Sequence, residues 1–244
     1  MTNRTTPIRQ DRADQTRKNI LRAAIREFSA HGLAGARTDA IAESAKVNKA
    51  LLYYYFKSKG GLYDAAFEEI ANVVVGRTLA ALDPAHSAGE RLLRAALNHF
   101  DRILTQHEFQ SLLQQEMVRL RRGESGAVPL LVKKVFKPLL AKLQETVEEG
   151  IRTGELCDLD WLQVVYSMLG ANVFYFLSAP MMQLALPFDP FDRAILEKRR
   201  SAAVRFLGSA LFVDRAHGAK LAKRVLMESP MPQIKKDQVW RKYV

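Results

Sequence analysis

Apolar residues recur at intervals of three and four along most of the chain, and no alternating run of strand character appears, so the pattern predicts helices throughout. From Ala13 to Ala30, residues Ile20, Leu21, Ala24, Ile25 and Phe28 share one face, Arg17, Lys18, Arg22 and Arg26 lie on the other, and His31-Gly32 ends the helix. Thr38–Ala45 predicts a short helix with Thr38 as its cap and Ile41, Ala42 and Ala45 inward. Lys46-Val47-Asn48 interrupts it, and Asn48 is placed to cap a second short helix, Lys49–Phe56. Ser58 then caps a longer helix from Lys59 to about Leu82, with Leu62, Ala66, Phe67 and Ile70 inward, which Asp83-Pro84 ends.

The same spacing continues. Ser87 and Glu90 form a capping box for a helix through Leu92, Leu93, Ala96, Leu97, Phe100, Ile103 and Leu104. His107–Arg122 is the next, closed by Gly123, and Val128–Arg152 follows with Pro138 expected to kink it. Asp158 or Asp160 opens the strongly apolar stretch WLQVVYSMLGANVFYFLSAP, expected to stop before Pro180 and pass into the linker MMQLALPFDPF. Asp192–Val213 and a short Asp214–Met227 complete an all-α chain without internal repeats.

Two short helices joined by a tight turn make a helix-turn-helix unit, whose second helix enters the DNA major groove by its N-terminal residues. Lys49 stands at that end, where a long cation reaches a guanine edge or a phosphate. Tyr53, Tyr54 and Tyr55 are consecutive and turn by about 100° each, so at least one phenol faces away from the core. Lys59 lies in the first turn of the following helix, whose free N–H groups and dipole favour an anion such as a phosphate.

Charge strengthens this picture. The 244 residues carry a formal net charge of +11. Up to Gly60 there are 12 Lys and Arg against five Asp and Glu, so most of the excess surrounds the proposed reading head. A second basic stretch runs from Arg215 to the end, with Trp240 and Tyr243 interleaved; it reads as a solvated tail or as a segment that grazes DNA or anionic lipid. Cys157 is the only cysteine, which excludes an intrachain disulfide or a thiolate zinc cluster and fits a reducing cytoplasm. The N-terminus lacks a signal-peptide core, and no run approaches the roughly 20 apolar residues of a membrane span. No GxSxG, Walker, HExxH or paired-cysteine pattern supports an enzyme, and His99 and His107 lack metal-ligand spacing, so neither a metal nor a cofactor is expected.

The stretch around Ile41-Ala42, with Val47, Leu52-Tyr53, Phe56, Ser58-Lys59 and Leu62, resembles the tetracycline-repressor (TetR) family of bacterial regulators. The likeness is specific over roughly Arg17 to Ile70 and architectural beyond. It implies phosphate contacts from Thr38, Tyr53 and Lys59, and groove contacts from Arg37, Asn48, Lys49, Ala50 and Tyr54. Two departures stand out: Lys46 occupies the usual glycine, where a positive φ is expected and its ammonium adds a phosphate contact, and Gly60-Gly61 replace helix formers, predicting a weak helix start.

The expected organisation is a disordered basic arm (1–12), a three-helix DNA-binding domain (13–60), a connecting helix (61–84), a helical ligand-binding and dimerisation domain (85–227) and a basic tail (228–244). The resemblance implies a homodimer paired through helices at about 160–178 and 192–213, a palindromic double-stranded operator, and a small, apolar effector. Effector candidates are Phe100, Leu104, Met117, Leu120, Phe136, Tyr166, Phe174 and Tyr175, for each of which ordinary core is the default reading. The expected function is a ligand-released repressor; a basic helical protein binding DNA or membrane surfaces without sequence preference is the competing reading.

Overall fold

The computed structural model describes residues 6–124 and 126–233, with side chains from Asp11 onward. Eleven α-helices occur among the described residues: α1 (Thr6–Gly35), α2 (Thr38–Ser44), α3 (Lys49–Phe56), α4 (Lys59–Ala81), α5 (Ala88–Thr105), α6 (His107–Arg121), α7 (Val128–Leu131), α8 (Lys137–Arg152), α9 (Trp161–Ala185), α10 (Arg193–Ala210) and α11 (Arg215–Glu228). No strand forms among them; Leu156 and Phe212 make one isolated bridge.

The packing resolves into two compact units. The first, called the head here, holds the residues up to Val73 together with Glu108–Val135, and the second holds Val74–His107 with the residues from Phe136 on. The change of unit therefore falls inside α4. It also assigns most of α6 and α7 to the head, whereas the sequence pattern had grouped all of 85–227 together. The reason is a set of contacts between residues far apart in the chain. Phe28 meets Tyr63 edge to face, and Tyr63, Phe67 and Phe109 stack in series at 6.2 Å spacings. Gln115 Nε2 donates to the Ser29 carbonyl at 3.1 Å. Under the aromatics lies Glu116, fully buried, which accepts from Tyr63 Oη at 2.8 Å, Arg119 Nη1 at 2.6 Å and the Ala127 N–H at 2.7 Å.

In the second unit, α5 is the central helix, packed by α8, α9, α10 and α11 around Leu92, Leu93, Leu143, Met168, Val204 and Val225. A separate cluster gathers Phe100, Ile103, Leu104, Phe176 and Leu196. Bidentate pairing of Arg200 with Asp101, both bonds 2.7 Å, ties α10 to α5.

Several expectations need correction. Residues 6–12, expected to be a disordered arm, belong to α1; Pro7 lies in its first turn, where a missing N–H is lost to no carbonyl. Residues 1–5 and 234–244, which hold the start of that arm and most of the basic tail, lie outside the described residues. Gly32 does break α1, at φ 68° and ψ 174°. Thr38 is the first residue of α2 rather than its cap; Arg37 holds the cap position without a side-chain bond. The helix expected over 128–152 is divided by a π-helical turn, Val132–Phe136, just ahead of Pro138, which then sits in the first turn of α8 where its absent N–H is harmless. α9 does not stop at Pro180 but continues to Ala185: one lost backbone bond is outweighed where the flanking Phe176 and Ala179 are buried. By length and composition this helix is apolar enough to cross a membrane, contrary to the expectation that no such run exists.

Candidate nucleic-acid interface

The reading helix α3 is held at both ends by local chemistry. Ahead of it, Lys46 adopts φ 57°. Its N–H donates to the Glu43 carbonyl and the Val47 N–H to that of Ala42, both at 3.0 Å, which closes α2 in a Schellman turn. A left-handed residue is required there, so lysine stands in a glycine's conformation, as the sequence predicts. Asn48 then caps α3, its Oδ1 accepting from the Leu51 N–H at 2.7 Å. Leu52 and Phe56 are buried, and Ile41 and Ala42 of α2 are buried with them. These anchors leave Lys49, Ala50, Tyr53 and Tyr54 exposed, Tyr54 at 70%.

Several predicted contact residues come together. Lys49 Nζ pairs with Asp39 at 2.9 Å, and its pKa is raised by that hydrogen bond and by the charge of the carboxylate. Thr38 Oγ1 and Tyr53 Oη lie 3.4 Å apart, so the two hydroxyls implied as phosphate ligands already face each other across α2 and α3. Arg37 is exposed beside them, and its backbone N–H donates to Glu27 Oε1 at 2.9 Å. Asn48 has its side-chain oxygen committed to the helix cap. Lys59, at the start of α4, donates to the Ala34 carbonyl at 3.0 Å.

Gly61 matters in a way that propensity hides. Ser58 Oγ accepts from its N–H at 2.9 Å, and a Cβ on Gly61 would overlap the Phe56 carbonyl oxygen. The glycine that weakens the helix start is the residue that lets α3 and α4 meet so closely.

Asp39, Lys57 and the bracing roles of Arg17 and Arg26 escaped sequence reasoning. Asp39 holds Lys49; its place in the first turn of α2, ten residues before Lys49, was the available signal. Arg26 Nη2 donates to Ser44 Oγ at 3.0 Å, and Arg17 lies over the Phe56 ring at 5.5 Å, so two of the α1 cations brace the head. Lys57 follows the helix directly, its Nζ donating to the Tyr54 carbonyl at 3.0 Å.

The effector candidates do not converge. Phe100 and Leu104 are buried together, with Tyr175 packed against their cluster; Tyr175 Oη donates to the Pro190 carbonyl at 2.5 Å, and burial pushes its pKa up to about 12. Tyr166 and Phe174 lie exposed on α9, Met117 and Leu120 lie exposed on α6, and Phe136 is half-buried in the π-helical turn. An open groove of about 290 Å³ in the second unit is lined by Phe174, Tyr175, Ser178, Met182, Phe188 and Arg199 among others. No cluster of three or more candidate metal ligands occurs among the described residues.

Comparison with known proteins bears on both units. The family model for bacterial regulatory proteins of the tetR family matches residues 20–66, and that for the tetracyclin repressor-like C-terminal domain matches residues 89–207. The HTH-type transcriptional repressor NicS of Pseudomonas putida is 29% identical over 180 residues, covering 73% of this chain and 83% of that protein. Among solved structures, a TetR/AcrR-family regulator from Thermobifida fusca aligns at TM-score 0.57 and 25% identity, covering 78% of this chain and 95% of that one. FadR from Bacillus subtilis, seen in complex with stearoyl-CoA, aligns at TM-score 0.59 and 21% identity, covering 78% and 96%, a likeness of fold alone.

Proposed function

This chain belongs to the TetR family of bacterial DNA-binding transcriptional regulators, and on that footing we propose that it is a homodimeric repressor, released from a palindromic operator by a small apolar molecule. Regulators of this family are soluble and cytoplasmic, bind operator DNA, usually as dimers, and answer to small-molecule effectors. The observation that carries the reading is the exposed N-terminal face of α3, where Lys49 and Tyr53 stand clear of the core beside Lys46 and Arg37, with the buried Thr38 hydroxyl of α2 3.4 Å from Tyr53 Oη. In this reading a DNA phosphate or guanine replaces Asp39 as the partner of Lys49. An exposed ion pair is readily exchanged, because water already screens it.

The test is a salt-dependent titration against DNA from immediately upstream of the protein's own gene, with random duplex as control. Lys49→Ala is expected to remove about 1–3 kcal/mol of operator affinity and relax sequence preference. An equal loss on random duplex would make Lys49 a phosphate contact only, and wild-type binding no tighter to upstream DNA than to random duplex would count against that DNA as operator.

Dimerisation is supported by an apolar stripe that no described residue covers. Phe174, Leu177, Met181 and Leu184 recur three and four apart on α9 and are exposed, as is Tyr166 eight residues earlier; Phe206 of α10 is 68% exposed, and Gly170 opens to empty space. So much exposed apolar surface supports an interface. Phe206→Asp is expected to weaken self-association by about 2 kcal/mol or more, seen as a monomer in sedimentation at concentrations where the wild type is dimeric. A variant still dimeric there would remove α10 from the interface. The groove walled by Phe174, Met182 and Phe188 supports an apolar effector.

A further inference from the structure

Among the described residues, two that are not glycine hold a left-handed backbone, and both are lysines of the head: Lys46 at φ 57° and Lys57 at φ 64°. They stand just before and just after α3. The Schellman turn accounts for the backbone at Lys46. Lys57 is different: with ψ −43° and the Ser58 N–H donating to the Phe56 carbonyl at 2.7 Å, it is the centre of a three-residue γ-turn of the strained hand. Glycine would hold this conformation without penalty. The turn itself has a clear purpose, since α3 must end at Phe56 and α4 begin at Lys59. That purpose accounts for the backbone and leaves the lysine side chain unexplained.

The side chain is exposed. Its ammonium donates to the Tyr54 carbonyl and sits 5.5 Å from the centre of the Tyr54 ring, the most exposed of the three tyrosines. The eight residues of α3 span about 12 Å at roughly 1.5 Å per residue. Lys46 and Lys57 are both exposed and flank the reading helix at its two ends.

We propose that Lys57 is a DNA-backbone contact, paired with Lys46 across the reading helix, and that the strained turn aims its ammonium at the phosphates while its contact with Tyr54 steadies that ring for the groove. The assignment rests on the reading of the head as DNA-binding. A backbone contact acts on any sequence, so random duplex is a valid probe alongside upstream DNA. Lys57→Gly is expected to unfold at the same or a higher temperature, because glycine relaxes the turn, yet to bind both duplexes about 5-fold more weakly or worse. The slope of log affinity against log salt should shrink by about 0.9. Lys57→Arg, which keeps the charge, should retain affinity on both duplexes. Wild-type affinity and salt slope in Lys57→Gly, with wild-type protein binding DNA normally, would overturn this contact alone. Failure of the wild type to bind any duplex would overturn the DNA-binding reading and this contact with it.

Discussion

Replacing Glu116 with alanine is expected to destabilise the head by about 3 kcal/mol, at the lower end of the range for breaking a buried, hydrogen-bonded charge. The carboxylate is fully buried and takes three hydrogen bonds, so its removal strands three donors. They are not equally stranded. Arg119 is partly exposed and already donates to Glu124 at 3.0 Å, so its charge can turn to that partner and to water. Tyr63 is 1% exposed and the Ala127 N–H is buried; each is left without an acceptor, at about 1–3 kcal/mol apiece. Glu116→Gln keeps the shape and part of the acceptor capacity and should lose about half as much. Urea unfolding monitored through the head's tyrosines measures both. A shift below about 1 kcal/mol for the alanine variant would show that water enters this site. Gly126 belongs to the same arrangement, since a Cβ there would overlap Glu116 Oε2.

Acid should weaken the second unit through His99. The ring is buried beside Arg102 and the amide of Asn172, and desolvation first, then the Arg102 charge, push its pKa down to about 3. The native ring thus stays neutral where the unfolded one, near pH 6.5, takes a proton. Above about pH 6.5 both are neutral and the stability is fully present; as pH falls from there towards 3 the unfolded state binds the extra proton, and each unit removes up to about 1.4 kcal/mol. Between about pH 7 and pH 5.5 the loss is therefore roughly 1.4 kcal/mol. Burial works to raise the Glu90 pKa, but its bond to Arg94 and the charges of Arg94, His86 and Arg224 hold it below the ordinary carboxylate range, as the Arg91 bond does for Glu149, so both lose their contribution only at lower pH and the windows separate. Denaturant midpoints at about pH 7 and pH 5.5 should fall for the wild type and stay level in His99→Gln. An equal fall in both would place the titrating group elsewhere.

Much of the head was legible in the sequence because its determinants act within a few residues. Asn48 caps α3 three positions ahead of its donor, Ser58 does the same for Gly61, and Lys46 takes the positive φ that a missing glycine implied. The helical pattern likewise placed most of the eleven helices, since burial every third or fourth residue is written directly into the order of apolar side chains. Family membership followed from this local grammar.

Other features were decided by contacts that no local window contains. Tyr63 and Glu116 meet across 53 residues, and that meeting makes α6 part of the head. The same three-and-four spacing put Phe100 in a core and Phe174 on a surface, because periodicity tells which residues share a face and not what covers it. Pro180 sits within a helix that its buried neighbours sustain, and Gly61 is needed for an approach to Phe56 that propensity scores only as a weakness. Caps, turns and amphipathic faces are short-range and were determined by the sequence alone; burial, close approach and the choice of partner depend on long-range packing, and only the tertiary structure decided them.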